Sequence, residues 1–329
     1  MKVLVTGAGG FIGRYSVDEL LRRGHTVTAM VRPGSRVPTS LEAEGVTVME
    51  CDLRRPPETL ASAVSESDAI VHLASSTGSG WRGALENMVV GTENLLDAIR
   101  EARWRGRFVH VSSFAVYGFN QMPRGSHLDE DSPLEPNPGR RDVYAWGKSL
   151  QERTIRQARD AGDLDAVIVR PGAVYGAEKQ FQYRLGREVA GRFLVVLGGR
   201  NVMPLTYVEN TASLLVRCVE DPAASGQVFN CVDPSEVTQL QYAKRYAAAR
   251  PTKMRVIPVP LVILDLVGHA LEIGRRRTDG RISPPGMLDP YIYRPSFLRL
   301  DFHTDRAQRL LDWSPPVGGN EALRRTFSS

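Results

Sequence analysis

Cysteine is scarce in this chain of 329 residues: Cys51, Cys218 and Cys231 stand far apart and form no Cys-x-x-Cys pair. That excludes a disulfide framework or a zinc knuckle and fits the reduced thiols of a cytoplasmic protein. Lysine is nearly absent, found only at positions 2, 148, 179, 244 and 253, so arginine supplies most of the 42 basic residues. The net charge of +5 comes with no basic stripe interleaved with aromatics, and Arg275-Arg276-Arg277 beside Arg281 is one short cluster. Nucleic acid is therefore not an expected partner, and the charge supports only a preference for anionic ligands. No apolar run reaches the ~20 residues that span a bilayer. The nearest, 256–273, is broken by two prolines, Asp265, His269 and Glu272. A helix packing over a ligand pocket is expected there, with membrane-surface association as the alternative. Repeats and low-complexity tracts are missing, and Met1-Lys2 leads straight into a strand, unlike a signal peptide. No histidine has the spacing of a metal ligand, so no metal is expected.

What is present is alternation. Short apolar runs at 2–5, 26–31, 46–50, 69–73, 107–112 and 166–169 alternate with helical patterns at 12–23, 87–102 and 143–161. This is the order of an α/β fold with a doubly wound parallel sheet of Rossmann type. Beyond Arg170-Pro171-Gly172 the pattern loosens: 178–191, 208–220 and 238–249 read as helices, 194–197 and 227–232 as strands. The expected division is a dinucleotide-binding domain over 1–171, its sheet revisited at about 203–232. A smaller, discontinuous substrate lobe takes 172–202 and 233–329.

Thr6-Gly7-Ala8-Gly9-Gly10-Phe11-Ile12-Gly13 follows the first strand and opens the first helix. Glycines at 7, 10 and 13 allow a tight turn, close approach of backbone to pyrophosphate and tight helix–strand packing. The helix N-terminus adds free N–H donors and partial positive charge. The second strand ends in Val31-Arg32, with no carboxylate for a ribose 2′-hydroxyl. Arg32, helped by Arg36 or Arg14, suits a 2′-phosphate, so NADP is preferred over NAD. Asp52-Leu53 is placed to meet the adenine, or else Asp52 caps a turn before Arg54. Leu73-Ala74-Ser75 would line the cofactor, and His72, within an apolar strand end, reads as a packed structural residue.

Tyr144-Ala-Trp-Gly-Lys148 sets a phenol and an ammonium one helical turn apart, on one face and about 6 Å apart at Cβ. A lysine charge so close would lower the tyrosine pKa and make it a proton donor and acceptor for an alcohol or ketone. Lys148 would also bond the nicotinamide ribose. A hydroxyl at the end of the fifth strand would polarise the substrate oxygen; Ser113 is the choice and Ser112 the fallback.

With these motifs in order, the chain resembles the extended short-chain dehydrogenases/reductases, the NAD(P)-dependent epimerase/dehydratase group. The resemblance rests on the glycine loop, Asp52-Leu53, His72-Leu-Ala74, and Asn87 followed by Gly91-Thr-Glu-Asn94. It extends to Val111-Ser-Ser-Phe-Ala-Val-Tyr-Gly118, Tyr144–Lys148 and Arg170-Pro-Gly-Ala-Val-Tyr-Gly176. It implies Ser113, Tyr144 and Lys148 as catalytic residues, Pro171 and Val174 near the nicotinamide, and substrate contacts at Ser113, Phe114, Tyr175 and Arg200. It also implies a homodimer formed through the helix before the fifth strand and the Tyr144 helix. Residues 256–277, Arg294 and 301–313 are most similar to the 3β-hydroxysteroid dehydrogenase-like branch.

Departures narrow the function. Phe114-Ala115 stands where sugar dehydratases of this group carry Asp-Glu, so water elimination lacks its acid/base pair. Reversible hydride transfer between a nicotinamide and a secondary alcohol or ketone is the leading expectation. A nucleotide-sugar epimerase with tightly bound NAD, using Arg184, Arg187, Arg192 or Arg200, is the runner-up. A non-catalytic dinucleotide sensor is the third reading, disfavoured because both Tyr144 and Lys148 are kept.

Overall fold

Seven apolar runs pair side by side; the central ones are buried on both faces, while Val46–Glu50 at the edge is largely exposed. The strands, in chain order, are β1 (Lys2–Thr6), β2 (Thr26–Val31), β3 (Val46–Glu50), β4 (Ala69–His72), β5 (Arg107–Val111), β6 (His127–Leu128) and β7 (Asp165–Pro171). They continue with β8 (Ala173–Tyr175), β9 (Arg187–Val189), β10 (Phe193–Leu197), β11 (Leu205–Tyr207), β12 (Val228–Cys231), β13 (Arg255–Val259) and β14 (Asp301–Phe302). The main sheet has the order β12-β7-β5-β4-β1-β2-β3, every pair parallel. In this computed structural model residues 1–329 are described except 79, 183–184, 235–236, 261, 264–265, 268–269, 271–272, 275–276, 278–290, 293–296 and 329.

Alternation along each strand sends side chains to two cores, which is what makes the sheet doubly wound. Val3, Val5, Val71, Val109 and Val169 join one cluster with α1 (Phe11–Arg22) and α6 (Val208–Glu220). Leu4, Ile70, Phe108 and Ile168 join the opposite cluster with α2 (Thr59–Ser65), α4 (Gly91–Glu101) and α5 (Val143–Asp160). A third cluster gathers Tyr175, Leu194, Leu205 and Tyr242 around β8, β10, β11 and α7 (Gln239–Ala248). The strand order reverses between β1 and β4, and ligands of open α/β sheets bind in the crevice outside such a reversal.

One expected helix is corrected, and another begins later than expected. Residues 187–189 form β9, antiparallel to β10. Gly186 explains the difference: it adopts φ +122°, and a Cβ there would stand 1.9 Å from the Val195 carbonyl oxygen, so the backbone lies directly against β10. Residues 256–259 belong to β13, parallel to β10 in the register Leu194↔Val256. Their β-branched side chains suit a three-stranded sheet, β13-β10-β9. Beyond β13 the described residues 262–263, 266–267, 270 and 273 are helical, as expected; 261, 264–265, 268–269 and 271–272 lie outside the described residues, as do Arg184, Arg275, Arg276, Arg281 and Arg294. The expected helix at 87–102 begins earlier, at Trp81, and passes through a π-helical turn, Leu85–Val90, before α4. Among the described residues no helix is long and apolar enough to cross a membrane.

Candidate active site

The glycine loop links β1 to α1 at the reversal point. Gly7 turns the chain at φ +70°, and a Cβ on it would meet the Ala74 backbone nitrogen at 3.0 Å. At Gly13 a Cβ would lie 2.3 Å from the Gly7 carbonyl oxygen, so only glycine lets α1 start this close to the loop. These contacts keep β1, α1 and the end of β4 together around a groove of about 390 Å³. Gly7, Gly10, Arg32, Asp52, Leu53, Leu73, Ala74 and Ser75 line it, which joins most of the expected cofactor residues. Phe11 and Ile12 turn instead toward the third core cluster, and Pro171 and Val174 follow at the end of β7 and on β8. Bare backbone at a helix N-terminus is what a pyrophosphate needs, so the residues present fit a dinucleotide.

At the adenosine end, Arg32 donates to Asn87 Oδ1 at 3.0 Å. Ser35 and Arg36 stand beside it on the groove wall. Asp52 is gripped by Arg54 (Nη2–Oδ2 2.6 Å), which holds its carboxyl below the usual range. Its backbone-capping role before Arg54 and its place on the groove wall coexist.

Tyr144 sits in the first turn of α5, whose start is fixed by Asp142: its carboxylate accepts from the N–H groups of Tyr144 and Ala145 at 3.1 and 3.0 Å. The Ser113 hydroxyl lies near the Tyr144 phenol and favours its ionised form. Ser113 Oγ accepts from the Ala115 N–H at 3.1 Å, which leaves its proton free to point at the phenol. Tyr144 is 41% exposed as a residue and so borders open space, while protein atoms crowd its hydroxyl end.

The pKa of Tyr144 corrects the expectation. Desolvation raises it above 10, Ser113 opposing and Asp142 adding to the rise. Lys148 does not lower it, because the ammonium turns inward: Nζ donates to the Val111 carbonyl at 2.7 Å and to Gln151 Oε1 at 3.0 Å. Burial brings Lys148 down to about 7, with Glu152 opposing.

Gln151 extends this contact into a buried chain. Its amide donates to the Ala74 carbonyl (3.1 Å) and Thr92 Oγ1 (2.9 Å), and Thr92 meets His72 Nε2 at 2.9 Å. His72 Nδ1 meets Thr6 Oγ1 at 2.8 Å, and burial followed by Lys148 brings His72 to about 3. His72 is therefore a neutral, packed residue. A second network joins Arg170, Glu152, Ser112 and Tyr117. Sequence reasoning passed over Gln151 and Glu152, although their spacing of three and four from Lys148 puts them on its helix face.

Two expected substrate contacts are corrected. Phe114 is 2% exposed and packs edge-on to Tyr117 and stacked on Phe302; Tyr175 is 1% exposed between Tyr207 and Tyr242. Neither presents a surface to a ligand, since both side chains turn into apolar clusters. Arg200 lines a separate cavity of about 990 Å³ with Arg124, Arg299, Leu240, Val259 and Leu298. Arg187 and Arg192 lie on and just after β9, outside the linings of that cavity and of the dinucleotide groove.

The model of the NAD dependent epimerase/dehydratase family matches residues 3–231. The chain belongs to that family. Among curated relatives of this epimerase/dehydratase chain, a 2-alkyl-3-oxoalkanoate reductase of Stenotrophomonas maltophilia is 34% identical over 221 residues, 64% of this chain and 63% of its own. A 3 beta-hydroxysteroid dehydrogenase/Delta 5→4-isomerase of Mycobacterium tuberculosis is 29% identical across 98% of this chain and 88% of its own. The solved UDP-glucuronic acid 4-epimerase of Bacillus cereus, in complex with NAD, superposes with a TM-score of 0.74 at 18% identity. It covers 100% of this chain and 98% of that one, a likeness of fold. The protein is thus an NAD(P)-dependent oxidoreductase of the extended short-chain dehydrogenase type.

Proposed function

We propose that this enzyme is an NADP-preferring ketone reductase, working reversibly on secondary alcohols, with Ser113, Tyr144 and Lys148 as its catalytic residues. The observation that carries the reading is the pairing of the Ser113 hydroxyl with the Tyr144 phenol at the end of β5, where the Tyr144 residue borders open space. Bound NADPH supplies the hydride. Tyr144 passes the proton to the carbonyl oxygen, and Ser113 donates a hydrogen bond to that oxygen as charge develops on it. Lys148 takes the ribose hydroxyls, and Gly7, Gly10 and Gly13 leave space for the pyrophosphate. Residues 1–171 with about 203–232 then form the dinucleotide-binding domain, and 172–202 with 233–329 the substrate lobe. We further propose a cytoplasmic homodimer formed through α4 and α5.

An apolar cavity wall bearing Arg124, Arg200 and Arg299 supports a substrate with an apolar body and an anionic end. Leu298 links that wall to the aromatic cluster of Phe114 and Tyr117, immediately beyond Ser113. The name of the Stenotrophomonas relative, an oxoalkanoate reductase, agrees with such a substrate. The test is a panel of 3-oxoalkanoates, steroids and nucleotide sugars with NADPH and NADH. Oxidation of NADPH by 3-oxoalkanoates supports the reading. The three arginines would also accept a diphosphate, so NAD retained through purification without net reduction would favour a nucleotide-sugar epimerase.

Two results probe the cofactor end. The double substitution R32A/R36A should raise the KM for NADPH at least tenfold and leave that for NADH within about twofold, since only the 2′-phosphate loses charge-assisted partners. Equal losses for both cofactors would remove the NADP preference. NADPH affinity should also depend on pH through Lys148. Its pKa of about 7 makes the ammonium the minor form above neutrality. If the charged form binds, affinity falls as pH rises from 7 to 9, approaching tenfold per unit. Fluorescence titration of the parent and of K148M checks this: the variant should bind more weakly, and its affinity should lose the pH dependence.

A further inference from the structure

The parallel pair β6–β14 brings together three side chains that sequence keeps far apart. His127 Nδ1 lies 2.8 Å from His303 Nε2, and Asp301 Oδ2 lies 3.0 Å from the first and 3.1 Å from the second. Three potential ligand atoms therefore form a nearly equilateral triangle. On one face of an octahedral metal with ligands at about 2.1 Å, the ligand atoms stand about 3.0 Å apart. His303 Nδ1 lies 3.3 Å from Asp305 Oδ2. A proton on Nδ1 facing that carboxylate leaves Nε2 as a lone pair turned into the triangle, which is how carboxylates orient metal-binding histidines.

Two imidazole nitrogens 2.8 Å apart cannot each point a proton at the other. One shared proton can bridge them, and a dication can replace it while also taking the carboxylate. Two imidazoles with one carboxylate on a face favour a first-row transition metal over magnesium or calcium, and leave positions open to water. The triangle is exposed, with His127 and Asp301 on the surface, so an ion can reach it directly.

We propose that His127, Asp301 and His303 form a surface site for a first-row transition-metal dication, of which Zn²⁺ is the probe. The ion pins β14 to β6. Phe302 of β14 stacks on Phe114 at 5.8 Å between ring centroids, and Phe114 follows Ser113, so the clamp supports the wall behind that serine.

The test uses the full chain, stripped with EDTA and titrated calorimetrically with ZnCl₂ and separately with MgCl₂. One equivalent of zinc should bind, magnesium should not, and zinc at a hundredfold over Kd should raise the melting temperature by roughly 5 °C. H127Q and H303Q should each weaken zinc binding by tenfold or more, and D305N by about ten- to a hundredfold. Both histidines lie outside the core, so without metal each variant should melt within about 2 °C of the parent, separating lost binding from lost folding. Absence of a bound equivalent overturns the proposal. So does zinc binding unchanged in both histidine variants, or magnesium binding as tightly as zinc.

Discussion

Tyr144→Phe should lower kcat for ketone reduction by roughly 10²- to 10⁴-fold while leaving the Kd for NADPH within about twofold. The substitution removes one oxygen and no packing volume of consequence. In the structure that oxygen faces the Ser113 hydroxyl and the residue borders open space, so no core contact is lost and stability should hardly change. The raised pKa of Tyr144 sharpens the expectation. Desolvation keeps the phenol protonated at neutral pH, which suits reduction, where the residue must give a proton away. The reverse direction, alcohol oxidation, needs the phenolate and should therefore gain rate as pH rises. Stopped-flow reduction by the parent and variant, with NADPH binding measured separately, checks both halves. Activity retained in the phenylalanine variant would sink Tyr144 as the acid/base; a matching loss of cofactor affinity would reassign it to binding.

Much of the fold was legible because parallel strands buried on both faces must be continuous apolar runs, and Val3-Leu4-Val5 or Val167-Ile168-Val169 can hardly be anything else. The glycine loop was legible for a related reason: Gly7 and Gly13 occupy positions where a Cβ would meet backbone. Spacing failed where tertiary contact decides. Charged residues between 178 and 191 mimic a helix, yet Gly186 lays that backbone on β10. The pairing of Tyr144 with Lys148 shows the same limit at the site. Helical spacing brings two Cβ atoms close, but a lysine's long stem can carry its charge elsewhere, here to Val111 and Gln151. Phe114 and Tyr175 sit within the right motifs while their side chains turn into cores. The His127–His303 contact depends wholly on the β6–β14 pairing, which no local pattern announces.

Glu152→Gln should destabilise the protein by about 3–5 kcal/mol, the range for breaking one side of a buried ion pair, and lower its melting temperature by on the order of 10 °C. Glu152 accepts from Arg170 at 2.6 and 3.1 Å, from Arg156 at 2.9 Å and from Ser112. Arg170 is fully buried and also donates to the Tyr117 hydroxyl at 2.9 Å, which in turn donates to Asn230 at 2.6 Å. Glutamine keeps the volume of Glu152 but leaves the Arg170 charge in a dry interior without its counter-charge. The pH dependence has a definite sign. Burial alone would raise the Glu152 pKa, but Arg170, Ser112 and Arg156 outweigh it and hold the carboxyl below its ordinary 4.5. Its contribution is therefore complete above about pH 4.5 and is lost as pH falls through the lowered value. Denaturation curves of parent and variant should differ by a constant amount at neutral pH and converge in acid. Replacing both partners, as in E152M/R170M, should recover part of the loss, because an apolar pair carries no desolvation penalty. If the single variant proved as stable as the parent, the network beneath Ser112 would not be what holds the ends of β5 and β7 against α5.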